Sequence, residues 1–560
     1  MSLTSIGRKT RTRSNLWLPI IGIVACIAGA IILAILSTIL SEPETDDKNG
    51  ITVEYGLTFL PSGFDPHLNR SVELGIPFYS VYDTLIYRHP QTFEFIPGLA
   101  ERWEISPDGL TYTFFLRHDV TFHDNTRFDA NAVGVTFDRI TDTSDPATVS
   151  QKARIMLGAF EGGPYAGYSL VDDYTFQIQL STPYAPLLDA LSQPYFGIAS
   201  PTAVANTERT TYQYNQIGTG PYKLAEFIPG DRIVLERNED YSWGPPYYTE
   251  HNDHSIERYV FRFYENPNTR RIGLEAGDID IVGELPPNDA ERLLNNRDAQ
   301  LLTPTLPGQP LQFFFNTQQF PTNDIKIRQA ILSATNREAI VQTVFFEDFS
   351  PVAYGPITTS MPYYTNEVEN FYGYSPEIAQ TLFSSAGVVD SDEDSILDVE
   401  GRPLQLKVVF LGTSFLPEVT QLLQSQWREI GLDVELVQVA SFGDLLAYTE
   451  SGDYNLIAFQ DWGTDPSIIN RFYLSDGDSN WTGYTDTELD NWLLQAVERS
   501  EPETRQQLYT NIQLRIMDQA LILPIRDNVN LIGWSQDLDG LVFAAQGWWP
   551  LLTNIQSVDR

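Results

Sequence analysis

Polar and apolar residues alternate through Ile51-Thr52-Val53-Glu54-Tyr55, which predicts a strand. The same period of two runs through Tyr112–Leu116 and Tyr174–Leu180, and Ile233-Val234-Leu235 is a further short apolar run. Each of these three follows a turn sequence: Pro107-Asp108-Gly109, Asp172-Asp173 and Pro229-Gly230-Asp231. This half of the chain predicts antiparallel sheet with few long helices. The second half changes character. Ile327, Ala330, Ile331 and Ala334 recur at helical spacing. Thr335-Asn336-Arg337-Glu338 has the form of a capping box that opens a second helix through Ile340, Val341 and Val344. Ser375-Pro376-Glu377 supplies a cap with proline at the first helical position, and Gly387 closes that helix. Leu404–Leu411 reads as a strand. Val419, Leu422, Leu423, Trp427 and Ile430 form a helix face ended by Gly431, and Val434, Leu436 and Val439 begin the next strand. That order is a βαβ unit, so this half predicts a mixed or parallel sheet. No internal repeat and no low-complexity tract is visible.

The first fifty residues set the topology. Arg8, Lys9, Arg11 and Arg13 precede an uncharged run from Leu16 to Leu40, and Glu42, Glu44, Asp46 and Asp47 follow it. As a helix the run would span about 38 Å at ~1.5 Å per residue, against a hydrocarbon core of about 30 Å. The positive-inside rule puts residues 1–15 in the cytoplasm, with 16–40 in the membrane, 41–50 as a polar tether and the remainder outside. Three fates are open. A retained signal anchor fits the length of the run. A cleaved signal peptide lacks an Ala-x-Ala site at its end. Ile23-Val24-Ala25-Cys26 resembles a lipobox, which would put lipid on Cys26. All three deliver a large module outside the cytoplasm.

Composition narrows the function. The chain has 560 residues, 42% hydrophobic and 19% charged, which is globular and long enough for two or three domains. A formal net charge of −39 excludes nucleic acid as a natural partner, since phosphates demand clustered Lys and Arg. Such a charge reads first as a device for solubility, with a bias toward cationic solutes as the sharper alternative. Cys26 is the one cysteine, so the remainder carries no disulfide, thiol chemistry or zinc–thiolate site. Aromatic residues reach 12%, with 28 Tyr and 10 Trp, enough to line a solute pocket as well as a core.

Enzyme signatures are missing. There is no Walker loop, Gly-x-Ser-x-Gly, His-Glu-x-x-His or dinucleotide fingerprint, and no nucleophile–base pair stands out. Gly218-Thr219-Gly220 runs into Pro221 rather than opening a phosphate-cradling helix. His251 and His254 flank loop residues Asn252 and Asp253 and have no evident third ligand. Asp390, Asp392, Asp394 and Asp398 alternate as in loops that wrap calcium, but Ser395 stands where such a loop prefers glycine and no glutamate follows at position twelve. A solvated turn and a structural calcium site both remain open there. No other cofactor is expected.

A dense series of motifs carries a family resemblance. Phe64-Asp65-Pro66, Val81-Tyr82-Asp83-Thr84-Leu85, Pro97–Trp103, Ser106–Tyr112, Val120–Asp124 and Phe128–Val133 occur in order. Gly218–Tyr222, Glu236–Tyr241, Asn268-Thr269-Arg270, Gly277–Asp280, Asp324–Ala330, Asn480–Tyr484 and Glu488-Leu489-Asp490 continue across the remainder. The chain resembles the peptide/nickel-type solute-binding proteins of ABC importers, called family 5 or cluster C. Two departures, Asn125 for the usual glycine and Asn336 for the usual aspartate, concern architecture.

The resemblance implies an α/β, type II periplasmic-binding-protein-like clamp with three lobes. Lobe I would comprise residues 51–75, 205–312 and 530–560, lobe II 76–204 and lobe III 313–529. It implies a monomer that captures oligopeptides or dipeptides in an interlobe cleft and delivers them to an ABC permease and ATPase. Peptide binders of the family present Trp-x-x-Asp, whose Asp binds the α-ammonium. Trp462-Gly463-Thr464-Asp465 fits that spacing, with Trp462 and Tyr484 as apolar walls. A shifted register puts Trp462 itself at the ammonium position, next to Asp461. An oligosaccharide or a metal chelate is the rival solute, and a membrane-tethered peptide sensor or chaperone is the rival function. An extracytoplasmic hydrolase is disfavoured by the missing nucleophile–base pair.

Overall fold

The strands predicted from alternation form where expected, and three larger sheets organise them. The computed structural model describes residues 50–58, 63–69, 71–150, 152–346 and 349–558. The basic segment, the apolar run and Cys26 lie outside the described residues. Among the described residues no helix is long and apolar enough to cross a membrane.

A seven-stranded sheet has the order Ala299–Leu302, Ile532–Ser535, Ile281–Val282, Thr52–Leu57, Arg258–Phe263, Arg232–Arg237, Tyr222–Ile228. Thr52–Leu57 runs parallel to both of its neighbours. The antiparallel expectation therefore fails at this strand. Its partners come from more than two hundred residues away, and only hairpin-connected neighbours are forced to be antiparallel. A four-stranded sheet of Ala100–Ile105, Thr111–Leu116, Thr175–Leu180 and Tyr165–Asp172 is antiparallel throughout. Tyr112, Phe114 and Leu116 point inward in alternation, as the period of two requires. Asn125 adopts φ +64°, a left-handed turn that asparagine tolerates in place of glycine.

The five-stranded sheet has the order Asp433–Val439, Gln405–Leu411, Leu456–Trp462, Gly308–Phe315, Ile522–Arg526. Its first three strands are parallel and its last two pair antiparallel, so the sheet is mixed as the βαβ pattern predicts. Helix Leu416–Glu429 makes the crossover and buries Trp427 completely. Ser375 caps helix Pro376–Ser385 by accepting from Ile378 N (3.3 Å). The predicted capping box is displaced by one residue. Asn336 is the cap of helix Arg337–Phe345, accepting from Ala339 N (2.9 Å). Thr335 is already committed, because its hydroxyl donates back to Ile331 O (2.7 Å) and receives the Trp427 indole N–H (2.9 Å).

The seven- and four-stranded sheets share one large core. Two separate cores cover the five-stranded sheet, one holding Phe313 and Phe315 and the other Phe314. The chain leaves the seven-stranded sheet after Leu302, enters the five-stranded one at Gly308, and returns between Arg526 and Ile532.

Candidate functional site

Strand Gly308–Phe315 is buried along its whole length. Such a strand normally carries an unbroken apolar run. Gln309 and Gln312 interrupt it, both fully buried, and a register shift lies between them against Leu456–Trp462. Bulges of this kind re-aim side chains at functional sites. Gly308 has φ +148°, and a Cβ there would meet Asp461 O at 2.2 Å, so only glycine permits the pairing with Trp462.

Several elements converge on this end of the strand. Gly308 N donates to Thr358 Oγ1 (3.1 Å). The neighbouring Thr359 donates through N (2.9 Å) and Oγ1 (2.5 Å) to Asp527 Oδ2. Asn528 Nδ2 donates to Gln309 O (3.0 Å). The Trp462 ring meets Trp548 edge-on, with centroids 6.1 Å apart. The segment after the five-stranded sheet, the C-terminal segment and the two central strands thus build one neighbourhood.

Its chemistry is incomplete. Both amide atoms of Gln309, Gln460 Oε1, Asp527 Oδ1, Asn528 Oδ1, Gln546 Oε1 and the indole N–H groups of Trp462 and Trp548 are buried with no hydrogen-bond partner among the described residues. A buried polar group left unpaired costs about 1–3 kcal/mol, so each of these groups calls for a partner from outside the chain, water or solute. Burial pushes the Asp527 carboxyl up to about 6, against the opposing hydrogen bonds from Thr359 and the charge of Arg526. Burial likewise pushes Arg526 down to about 10, and its guanidinium stacks on Phe345 at 4.0 Å.

The residues singled out from sequence fall in different surroundings. Trp462 belongs to this neighbourhood. Asp465 lies three residues beyond it, is buried, and caps the short turn Pro466–Ile469 through Ser467 N (2.9 Å). Its carboxylate forms a two-point pair with the Arg505 guanidinium, at 2.9 Å for each oxygen. Burial opposes ionisation of Asp465, but Arg505 prevails and holds its carboxyl below the usual range. Asp461 pairs with Arg471 (2.5 Å) and accepts from Trp462 N (2.9 Å). Tyr484 stands apart. Its segment meets the far end of the buried strand, where Thr317 N donates to Thr482 O (2.8 Å), and its hydroxyl donates to Asp486 (3.1 Å). Strand Gly308–Phe315 separates it from Trp462 by roughly 23 Å at ~3.3 Å per residue. Tyr484 is therefore not a wall beside Trp462.

Asp390, Asp392 and Asp398 bring carboxylate oxygens within 4.8 Å of one another, without Asp394. The loop satisfies much of itself: Asp398 accepts from Ser391 N (3.1 Å) and Oγ (2.6 Å), and Asp390 from Ser395 N (3.1 Å). Ser395 takes φ +74°, the backbone state for which calcium loops use glycine. His251 bonds Glu257 (2.9 Å). Sequence reading missed Asp527, Asn528 and the glutamines. The legible signal was Gln309 and Gln312 inside an otherwise apolar strand.

Buried polar groups with unmet hydrogen bonds, placed where the chain crosses between two separately cored halves, suit the binding of a solute. Residues 94–483 match the family described as bacterial extracellular solute-binding proteins, family 5 Middle. The chain belongs to this family and is the solute-binding protein of an ABC importer, not an enzyme. It is 27% identical to the dipeptide-binding protein of Escherichia coli strain K12, over 83% of this chain and 87% of that one. It is 28% identical to the nickel-binding periplasmic protein of the same organism, over 85% and 88%. The crystal structure of NikA from Brucella suis in complex with Fe(III)-EDTA superposes with a TM-score of 0.78 at 26% identity, covering 90% of this chain and 100% of that one.

Proposed function

We propose that the solute is a short peptide or a similar amine-bearing compound, held between the seven- and five-stranded sheets. Asp527, not Asp465, faces its ammonium group. The observation that carries this reading is Asp527 Oδ1, buried and without a partner among the described residues, while both oxygens of Asp465 are taken by Arg505. A buried carboxylate with an open acceptor is stabilised by a cation that arrives desolvated and hydrogen-bonded. Gln309, Gln460 and Asn528 supply the donors and acceptors that an extended peptide backbone needs without reading its side chains. Trp462 and Trp548 offer flat apolar walls and indole N–H donors. The chain is tethered on the outer face of the membrane, by residues 16–40 or by lipid on Cys26, and hands its solute to the permease as a monomer.

An oligosaccharide is the second reading. Paired tryptophans beside four buried amides also suit sugar rings and hydroxyls, and this lining contains one open carboxylate oxygen. Native mass spectrometry of the full-length chain, released from detergent without refolding, separates the two. A spread of peptide masses, lost in the Asp527→Asn protein, is expected. A single sugar or metal-chelate mass overturns the ammonium reading and leaves the importer assignment intact.

A further inference from the structure

Away from the two chain crossings, the halves of the molecule meet at a compact polar knot, at a backbone bond from Ala185 N to Val497 O (2.7 Å), and where Phe346 and Phe349 pack against Leu274 and Leu285. Arg88, in strand Ile86–Arg88, and Asp189, in helix Leu187–Leu191, form an ion pair within the half cored by the seven- and four-stranded sheets. Arg88 is further held in that half by the rings of Phe93 and Phe95. Asp465 and Arg505 form an ion pair within the other half, where Arg505 lies over Tyr363 and Tyr509. Thr464 sits between the pairs, 1% exposed. Its Oγ1 donates to Asp189 Oδ1 (2.6 Å) and accepts from Gln193 Nε2 (3.0 Å), while its carbonyl accepts from Arg88 Nη1 (3.2 Å).

We propose that Thr464 is a positioning residue that latches the closed clamp. Each charge has its counter-ion on its own side, so separating the halves strands no ion. A neutral hydroxyl and a carbonyl make this part of the bridge, beside the backbone bond from Ala185 N to Val497 O. An ion pair drawn across the gap would resist opening by far more, because each charge would then have to be parted from its partner. The arrangement makes closure reversible at the scale of hydrogen bonds. Because the acceptor and one donor are charged, those bonds are at the stronger end of that scale.

The latch is tied to the solute by chain geometry. Trp462, Gly463, Thr464 and Asp465 are consecutive. A Cβ on Gly463 would meet Ile468 at 2.7 Å, and Asp465 caps the turn that follows. The segment that presents Trp462 to the solute therefore delivers Thr464 to Asp189 as one rigid piece. A solute that settles Trp462 shifts the open–closed population through the latch. This rests on the clamp opening and closing, and not on which solute it carries.

The test reads distance and needs no solute. Spin labels at Glu161→Cys and Glu450→Cys, both exposed, in a Cys26→Ser background of the full-length detergent-solubilised chain, report the gap by double electron–electron resonance. Thr464→Val removes the two bridging bonds made by the hydroxyl, Gln193→Leu removes one of them, and both variants leave the two ion pairs. Each is expected to lower the closed-to-open ratio, Thr464→Val by about tenfold, with a melting temperature close to that of the parent. Arg102→Ala, which breaks an exposed ion pair within one half, is expected to leave the distances unchanged. Parent-like distances in both bridge variants overturn the latch. So does an equal shift in the Arg102→Ala control. A wrong peptide assignment would change neither outcome.

Discussion

Asp465 and Asp527 are both buried aspartates at the ends of strands in the same sheet, and they have opposite fates. Asp465 is finished: Arg505 takes both oxygens and Ser467 N adds a third bond. Asp527 is half finished: Thr359 takes one oxygen, and the other has no partner among the described residues. Burial pushes the Asp527 carboxyl up, while the guanidinium beside Asp465 holds its carboxyl down. The difference teaches how to sort buried charge. A carboxylate whose hydrogen bonds close within the chain is architecture, and one whose bonds remain open addresses something outside it.

The comparison breaks first at Asp465. Asp465→Ala leaves Arg505 buried without its counter-ion, and urea denaturation is expected to show a loss of about 3–5 kcal/mol. A loss of solute binding with full stability would instead return Asp465 to the pocket. The next effect is a pH dependence at Asp527. Its carboxyl titrates near 3.8 when free and at about 6 in the folded protein, so folding takes up a proton between those values. The folded state therefore loses stability as pH rises through that window, by up to about 3 kcal/mol, and holds level above it. Asp527→Asn should remove that contribution, visible as a smaller stability difference between pH 4 and pH 7 than in the parent. An unchanged difference means the carboxyl is not strained by burial.

A smaller effect sharpens the boundary of the site. Trp462→Phe and Trp548→Phe keep a ring and lose an N–H. Each should weaken solute retention by about tenfold in native mass spectra while leaving the melting temperature close to the parent. The smallest effect is expected at the acidic loop. Asp392→Asn should change stability by no more than about 0.5 kcal/mol, and calcium should not raise the melting temperature. A rise of several degrees with calcium, abolished by the substitution, would make the loop a metal site.

Local signals were legible in the sequence because local physics sets them. Alternation gave the strands, Ser375-Pro376 the helix start, Gly431 the helix stop, and the motif series the family. The site was less legible because its logic is long-range. Nothing near Trp462-Gly463-Thr464-Asp465 announces that Arg505, forty residues on, will occupy Asp465. Nor does Asn480–Tyr484 reveal that it folds against the opposite end of the buried strand. Asp527 follows a strand as many surface aspartates do, and only its burial against Thr359 sets it apart.

The seven-stranded sheet has a consequence for how the molecule is made. Thr52–Leu57 is the first strand of the described chain, yet it occupies the sheet's interior, between Arg258–Phe263 and Ile281–Val282. Ile532–Ser535 fills the gap on the far side of Ile281–Val282. During export the earliest strand must wait for partners two hundred residues behind it, and the sheet closes only when Ile532–Ser535, near the C-terminus, has emerged. Until then Ile281–Val282 presents one unpaired edge and Ala299–Leu302 has no place in the sheet, an exposure that lasts for more than two hundred further residues of chain.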